Sequence, residues 1–547
     1  VSVFERLIGL ETEYALRIPQ TPGRRDGPIH SHRDAYDSIV RSLSQRLPTA
    51  EADAAQGAKV GLFLGTGGVV WFESLRPTTG VGLIEGATPE CRGPRELVAC
   101  QRAQDRLLSE AARQHDLALV KNCRDSKGNA YGAQENYEVC LASGPALSVW
   151  RTAFWLIVLP LTILFQVGVT ILTVCCALTI PFTALVYCLL RAGKSAVQRE
   201  RSFDFWIGRV WRKGWNGVEI PFGGWIAKPI LWCVKLAVAP LTAAVWILVQ
   251  FTQLGRLQRQ LTPFLVSRVV FAGAGRLDSA GRFQLSDKAD SISCVASLPE
   301  FARGIFSLGQ FVKPCAVLIR IGELLTQRQR LQISIGDSNL CEEAEYLRVG
   351  TTLLVLDALE SGAMTDVPKL ARPVKALRAF NGDPTLTRPV GLRDGQQMTA
   401  LEIQHWYLDG CKRFVDQQPE VPEEARDILR RWEDVLGQLR SDRDSLVGRI
   451  DWVTKLFLLD RTASGFCETA RKKIDIRYHE LSPDGYFQTL AAAGLHRRIL
   501  FDEEIERAMR LPPPGTPATT RARLIREFSG PGLRVGWKSL SNGVRIR

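Results

Sequence analysis

The sequence predicts an α+β protein interrupted by a long apolar insert, on three observations. Ile8–Tyr14 and Gly67–Glu73 alternate in polarity with the two-residue period of a strand. Arg95–Leu119 carries apolar residues at the three- and four-residue spacing of an amphipathic helix. Thr152–Leu190 contains no charged residue, a run longer than the roughly 20 residues that cross a bilayer once. At 547 residues the chain exceeds the size at which one core keeps growing. The division this suggests is a large domain in two parts, 1–144 and 259–475, an insert at 145–258 and a small C-terminal domain at 476–547.

In the first strand Glu11 and Glu13 share a face, and Ile8, Leu10 and Tyr14 take the other, because successive side chains alternate. Two carboxylates on one strand face suit a hard cation such as Mg²⁺ with ATP phosphates; a solvated sheet face is the alternative, and the segment alone leaves both open. Pro19–Gly27 is a loop, and Ala35–Leu47 a helix with Tyr36, Ile39, Val40 and Leu43 on one side. The second strand puts Val69, Trp71 and Glu73 on one face and leads through a Gly/Pro-rich turn to Ile84–Cys91, which adds Glu85 and Glu90. After the helix, Gly128 and Gly132 mark turns before a strand at Tyr131–Cys140.

Past the insert, Gly273–Arg276 is a turn and not a phosphate loop, since no Lys-Ser/Thr follows. Arg328–Ile335 is a strand with Leu331, Ile333 and Ile335 on one face and Gln332 and Ser334 on the other. Leu347–Leu359 is an apolar core helix, and Arg426–Leu459 is mostly helical with a charged, solvated face.

The net charge of +13 is unevenly placed. Between Pro145 and Gln260 twelve Lys/Arg face Glu200, Asp204 and Glu219, a net of +9 that leaves +4 for the rest. A basic excess among apolar runs points to membrane lipid and away from nucleic acid. Thirteen cysteines without a C-x-x-C pair fit reduced thiols in a cytosolic compartment. Six histidines without H-E-x-x-H give no zinc signature, and Val1–Gly9 has no signal-peptide core. A second apolar region, Pro221–Gly255, is broken only by Lys228 and Lys235.

Because the segments flanking the insert build one soluble domain, the chain must cross an even number of times. The basic stretch Arg191–Lys213 favours the cytoplasm. Together these predict two hairpins, turning near Gln166–Gly168 and Lys235–Pro240, with limbs of about 17 to 20 residues. The runner-up is two single long crossings with the basic stretch outside, and amphipathic re-entrant helices are a third arrangement.

The series of motifs resembles the Pup ligase and depupylase family, whose first strand reads G-[IT]-E-x-E-[FY] and whose later motifs include G-A-R-L-Y-x-D and H-P-E-Y-x-x-x-E-C. The resemblance continues in Lys121-Asn122, Asp125–Gly132, Glu135–Tyr137, Leu261–Arg268, Gly336–Asn339, Asp451–Lys455 and Thr519–Ala522, and covers all but roughly residues 145 to 258. It implies a glutamine-synthetase-like antiparallel sheet cradle backed by helices, closed at one end by the small C-terminal domain. The activity it implies is ATP-dependent activation of the C-terminal Glu of a small Pup-like modifier and its transfer to lysines of protein substrates. The implied cofactors are Mg²⁺ and ATP. The apolar insert, which the resemblance does not cover, adds the expectation of a location in the cytoplasmic membrane, crossed more than once, with the catalytic domain facing the cytoplasm.

Carried over position by position, Glu11 and Glu85 match metal-binding glutamates, with Glu13 beside them; Thr88 and Trp537 match nucleotide contacts. The family's catalytic aspartate aligns with Glu73, its metal-contacting tyrosine with Trp71, its nucleotide-binding arginine with Val69, and two histidines with Gln134 and Gln332. These departures keep a second expectation open, a membrane-anchored pseudoenzyme that binds nucleotide or modifier without turnover. Depupylase-like hydrolysis is the third, weakened because the separation of 62 positions from Glu11 to Glu73 is intermediate and nearer the ligase length than the longer depupylase one.

Overall fold

A computed structural model describes residues 3–18, 31–53, 61–76, 81–121, 124, 132–191, 224–297, 303–313, 317–318, 320–461, 468–529, 532–541 and 545–546. The Pro19–Gly27 loop, the Asp125–Tyr131 motif and the basic run from Lys194 to Lys213 lie outside the described residues.

A thirteen-stranded sheet organises the domain. Before the insert come β1 (Ile8–Arg17), β2 (Thr49–Ala52), β3 (Gly61–Leu64), β4 (Val69–Arg76), β5 (Val81–Ala87), β6 (Ala118–Val120) and β7 (Gln134–Cys140). After it come β8 (Cys294–Ser297), β9 (Gly304–Ser307), β10 (Arg328–Ile333), β11 (Arg534–Val535), β12 (Leu540–Ser541) and β13 (Arg545–Ile546). Their order is β8-β9-β10-β7-β1-β5-β4-β3-β2-β11-β12-β13, with β6 on the end of β1. The sheet is mixed and not purely antiparallel, since β8 with β9 and β2 with β11 pair in parallel. The C-terminal stretch thus extends the same sheet.

Alternation in β1 works as the residue pattern requires. Leu10, Thr12 and Tyr14 are buried behind the sheet against α2 (Pro94–Arg113). There the Tyr14 hydroxyl donates to Asp105 (2.7 Å) and Thr12 to Gln101 (3.2 Å). Lys121 completes that network by donating to Asp105 at 2.9 Å. The helix expected at Arg95–Leu119 ends at Arg113, and its apolar tail forms β6 instead. The expected helix at Ala35–Leu47 is α1 (His32–Arg46), started by the Ser31 side chain accepting from the Asp34 amide. Behind the other half of the sheet, the expected core helix runs from Glu342 to Glu360 and is buried on every side up to Leu359.

The insert differs most from expectation. α3 (Gly144–Ala153), a π turn at Phe154–Val158 and α4 (Leu159–Arg191) form one unbroken helix. Its companion, α5 (Gly224–Gln250), is equally continuous and packs along it. The predicted hairpins at Gln166–Gly168 and Lys235–Pro240 therefore do not form. A lone Gly costs a helix about 1 kcal/mol and a lone Pro about 3 kcal/mol, so Gly168 and Pro240 weaken the helices locally without specifying a turn.

The roots of both helices sit in the main core, where Trp150, Phe154 and Val158 cluster with Leu241, Val245 and Val249 of α5. The two domain-side ends adjoin, with Gln253 Nε2 donating to Ser143 Oγ at 3.0 Å. Beyond the roots the surface is apolar and open. Only 11 % of the most apolar window in Gly144–Leu172 and 28 % of that in Trp232–Gln250 is buried, unlike the core helix of a soluble protein. By length and composition, both helices are able to cross a membrane.

Candidate functional site

The front of the sheet and the segments 288–292, 309–313 and 320–326 line a cleft of about 1050 Å³. Glu11, Glu13, Glu73, Glu85, Thr88 and Trp537 all line it, so the structure brings together every site residue chosen from the sequence. The β1–β5 register sets Glu13 directly opposite Glu85, with Glu11 opposite Ala87. On the next strand Trp71 pairs with Glu85, and Glu73 with Leu83.

Glu13 and Glu85 are 9 % and 7 % exposed. Like charges directly opposite one another destabilise a sheet, and burial removes the water that would screen them. A hard divalent cation offsets both costs. Among the described residues no three His, Cys, Asp or Glu are grouped closely enough to hold a metal by themselves. Mg²⁺ does not require such a group, since it commonly keeps waters and takes one or two carboxylates plus phosphate oxygens. The opposed pair therefore fits Mg²⁺ carried in with a nucleotide.

Glu11 is placed differently. Its carboxylate accepts from Asn136 Nδ2 (3.1 Å), Gln332 Nε2 (3.3 Å) and Arg330 Nη1 (3.4 Å). Gln134 and Gln332, the positions aligned with family histidines, bond to each other beside it. Glu13 accepts from the Gly132 amide at 2.8 Å.

Thr88 accepts from the Leu10 amide at 3.0 Å, which ties the end of β5 to β1. Trp537 meets Phe63 edge to face at 5.4 Å, and the Arg521 guanidinium lies 4.7 Å from its ring centre. Arg521 is itself ion-paired with Glu90 and donates to the Gly67 carbonyl. Trp71 lies over Gly61, where a Cβ would come within 2.1 Å of the indole. Glycine is required there by the ring and not by the backbone angle.

The cleft also has a basic lining of Lys288, Arg303, Lys313, Arg320 and Arg330, the last on β10 of the same sheet and ion-paired with Glu11. Sequence reasoning misses it. The available signal is the alternation Arg328, Arg330, Gln332 along β10, which is legible from the polar face of that strand. Lys288 is held by the Gly336–Asn339 motif: the Asp337 carboxylate accepts from the amides of Ala274, Asp287 and Lys288 at 2.8 to 3.0 Å.

A cleft on the front of a large sheet, with buried carboxylates in register, a basic lining and a tryptophan, suits a polyanion carried with a cation. The chain belongs to the Pup-ligase protein family, whose model matches residues 6–541. A Pup--protein ligase of Acidimicrobium ferrooxidans is 27 % identical over 543 residues, covering 95 % of this chain and 89 % of the relative. A depupylase of Acidothermus cellulolyticus is 35 % identical over 295 residues, 52 % of this chain and 57 % of the relative. The chain thus spans a little over half the length of that depupylase. Among solved structures, the complex of Pup with its ligase PafA matches with a TM-score of 0.63 at 21 % identity, covering 98 % of this chain and 86 % of that one. PafA in complex with ADP matches with a TM-score of 0.58 at 20 % identity, covering 96 % and 90 %. These two likenesses are of fold.

Proposed function

We propose that this chain is an ATP-dependent ligase that joins the C-terminal Glu of a small Pup-like modifier to lysine side chains of target proteins, and that it works anchored in the cytoplasmic membrane. The observation that carries the ligase reading is the buried Glu13–Glu85 pair sharing one cleft with a set of basic side chains. A carboxylate becomes an acyl donor when one oxygen is phosphorylated, and the metal would lower the charge cost of that transfer. Glu13 and Glu85 would hold it. Lys288, Arg303 and Arg320 would neutralise the phosphates, and Trp537, fixed by Phe63 and Arg521, would stack on the base.

The modifier's carboxylate oxygen attacks the γ-phosphorus and ADP leaves. The lysine amine then attacks the acyl carbon, phosphate leaves, and Glu73 accepts the amine's proton. Glu73→Gln should leave ATP binding intact and lower steady-state ADP release, driven by a synthetic peptide ending in Glu together with a lysine acceptor, by at least about a hundredfold. Unchanged release would remove Glu73 from the chemistry.

A second reading, a nucleotide- or modifier-binding pseudoenzyme, is favoured by the three donors already on Glu11. Its signature is ATP binding in the wild-type chain with no peptide-driven ADP release.

For the membrane reading, the support is the pair of continuous apolar helices. At 27 residues, α5 is about 40 Å long at 1.5 Å per residue, enough for one crossing. Use of ATP places the catalytic domain in the cytoplasm, so single crossings carry the basic stretch to the far side, against the positive-inside tendency. A single-Cys variant at Ser202 should therefore be modified by an impermeant maleimide added to intact cells. Modification only after permeabilisation would rule out this topology.

A further inference from the structure

The helices of the insert are rooted on the wall of the cleft itself. Trp150 Nε1 donates to the Leu324 carbonyl (2.9 Å) and Arg151 Nε to that of Leu325 (3.0 Å). Trp150 also packs edge to face on Phe311 at 5.4 Å. The two stretches they grip line the cleft through Gln310 and Lys313 on one and Glu323 and Leu324 on the other. Open apolar surface begins at once beyond these contacts: Trp155 is 50 % and Leu156 71 % exposed, and on the companion helix Trp246 is 43 % exposed.

Four residues along the helix, Arg151 to Trp155, cover about 6 Å. Tryptophans of spanning helices favour the membrane–water boundary, and Arg151, Arg256 and Arg259 are exposed around the root, where anionic headgroups attract them. A bilayer around these helices would therefore abut the cleft wall.

The two substrates feel this differently. A modifier tail is a linear segment and can thread in from any open side. A lysine reaches only roughly 6 Å from its backbone on its flexible stem, so the protein that carries it must come up to the rim. We propose that the acceptors are lysines close to the bilayer surface, on proteins embedded in or attached to the same membrane. This rests on the membrane-anchored ligase reading above.

The test uses the full chain in phosphatidylcholine/phosphatidylglycerol vesicles with ATP and a fluorescent peptide ending in Glu. The acceptor is a lysine-free helical rod tethered to the same vesicles and carrying one lysine, either near the tether or far along the rod. Local concentration is then equal, and only height above the bilayer differs. The near lysine should be labelled at least tenfold faster, and the ratio should fall to about one in detergent. Equal labelling on vesicles, or a ratio that survives detergent, would overturn the proposal alone. Failure of the chain to float with vesicles would defeat the anchoring reading, and no labelling of any amine in vesicles or detergent the ligase reading, each taking the proposal with it.

Discussion

Glu85→Ala should abolish Mg-ATP binding, weakening it at least a hundredfold by calorimetry, or about 2.7 kcal/mol. Glu85 and Glu13 face one another in register and are both buried. Removing one leaves a single carboxylate to meet the cation that the pair was built around. Glu11→Gln should cost far less, because the Glu11 carboxylate is already held by Asn136, Gln332 and Arg330. Unchanged affinity in Glu85→Ala, or a larger loss in Glu11→Gln, would move the metal away from the β1–β5 pair.

The second large effect is on stability. Behind the sheet the Glu135 carboxylate accepts from both Arg268 nitrogens (2.6 and 2.9 Å) and from the Tyr137 hydroxyl (2.7 Å), with Arg348 at 3.7 Å. Breaking a buried pair by deleting one partner costs about 3–5 kcal/mol, and Arg268→Leu should lose that much at neutral pH in denaturant unfolding. Burial pushes the Glu135 carboxyl up, but Arg268 and Arg348 outweigh it and hold it below its ordinary range. In the wild-type chain this stabilisation is present above the unfolded pKa and is lost as pH falls through the lower folded value. Without Arg268 the folded value rises, so protonation relieves the buried charge. The variant's deficit should shrink between pH 7.5 and pH 5; a deficit independent of pH would mean that lost packing, not charge, is responsible.

The acidic face is legible in the sequence because period-two alternation is local: Glu11 and Glu13 in one strand, Trp71 and Glu73 in another, need no knowledge of their partners. Which carboxylates oppose one another is not legible, since register joins Glu13 to Glu85 across a gap of 72 positions. The parallel pairing of β2 with β11 is longer-range still, and β11 has only two residues. The hairpins rest on parity and charge bias, neither of which acts on the backbone at Gly168 or Pro240. The basic lining escapes notice because its residues come from β10 and from several short segments that only the fold brings to the cleft.

Cutting the chain at 144 and 258 is the direct way to remove the apolar insert. The roots argue against those cut points. Trp150, Phe154, Val158, Leu241, Val245 and Val249 belong to the same core as the sheet strands and the Glu342–Glu360 helix, so a deletion there would open a wound in the domain's interior and unseat Leu324 at the rim of the cleft. A water-soluble version has to keep the stumps, and its designer's task is to make their outward faces polar.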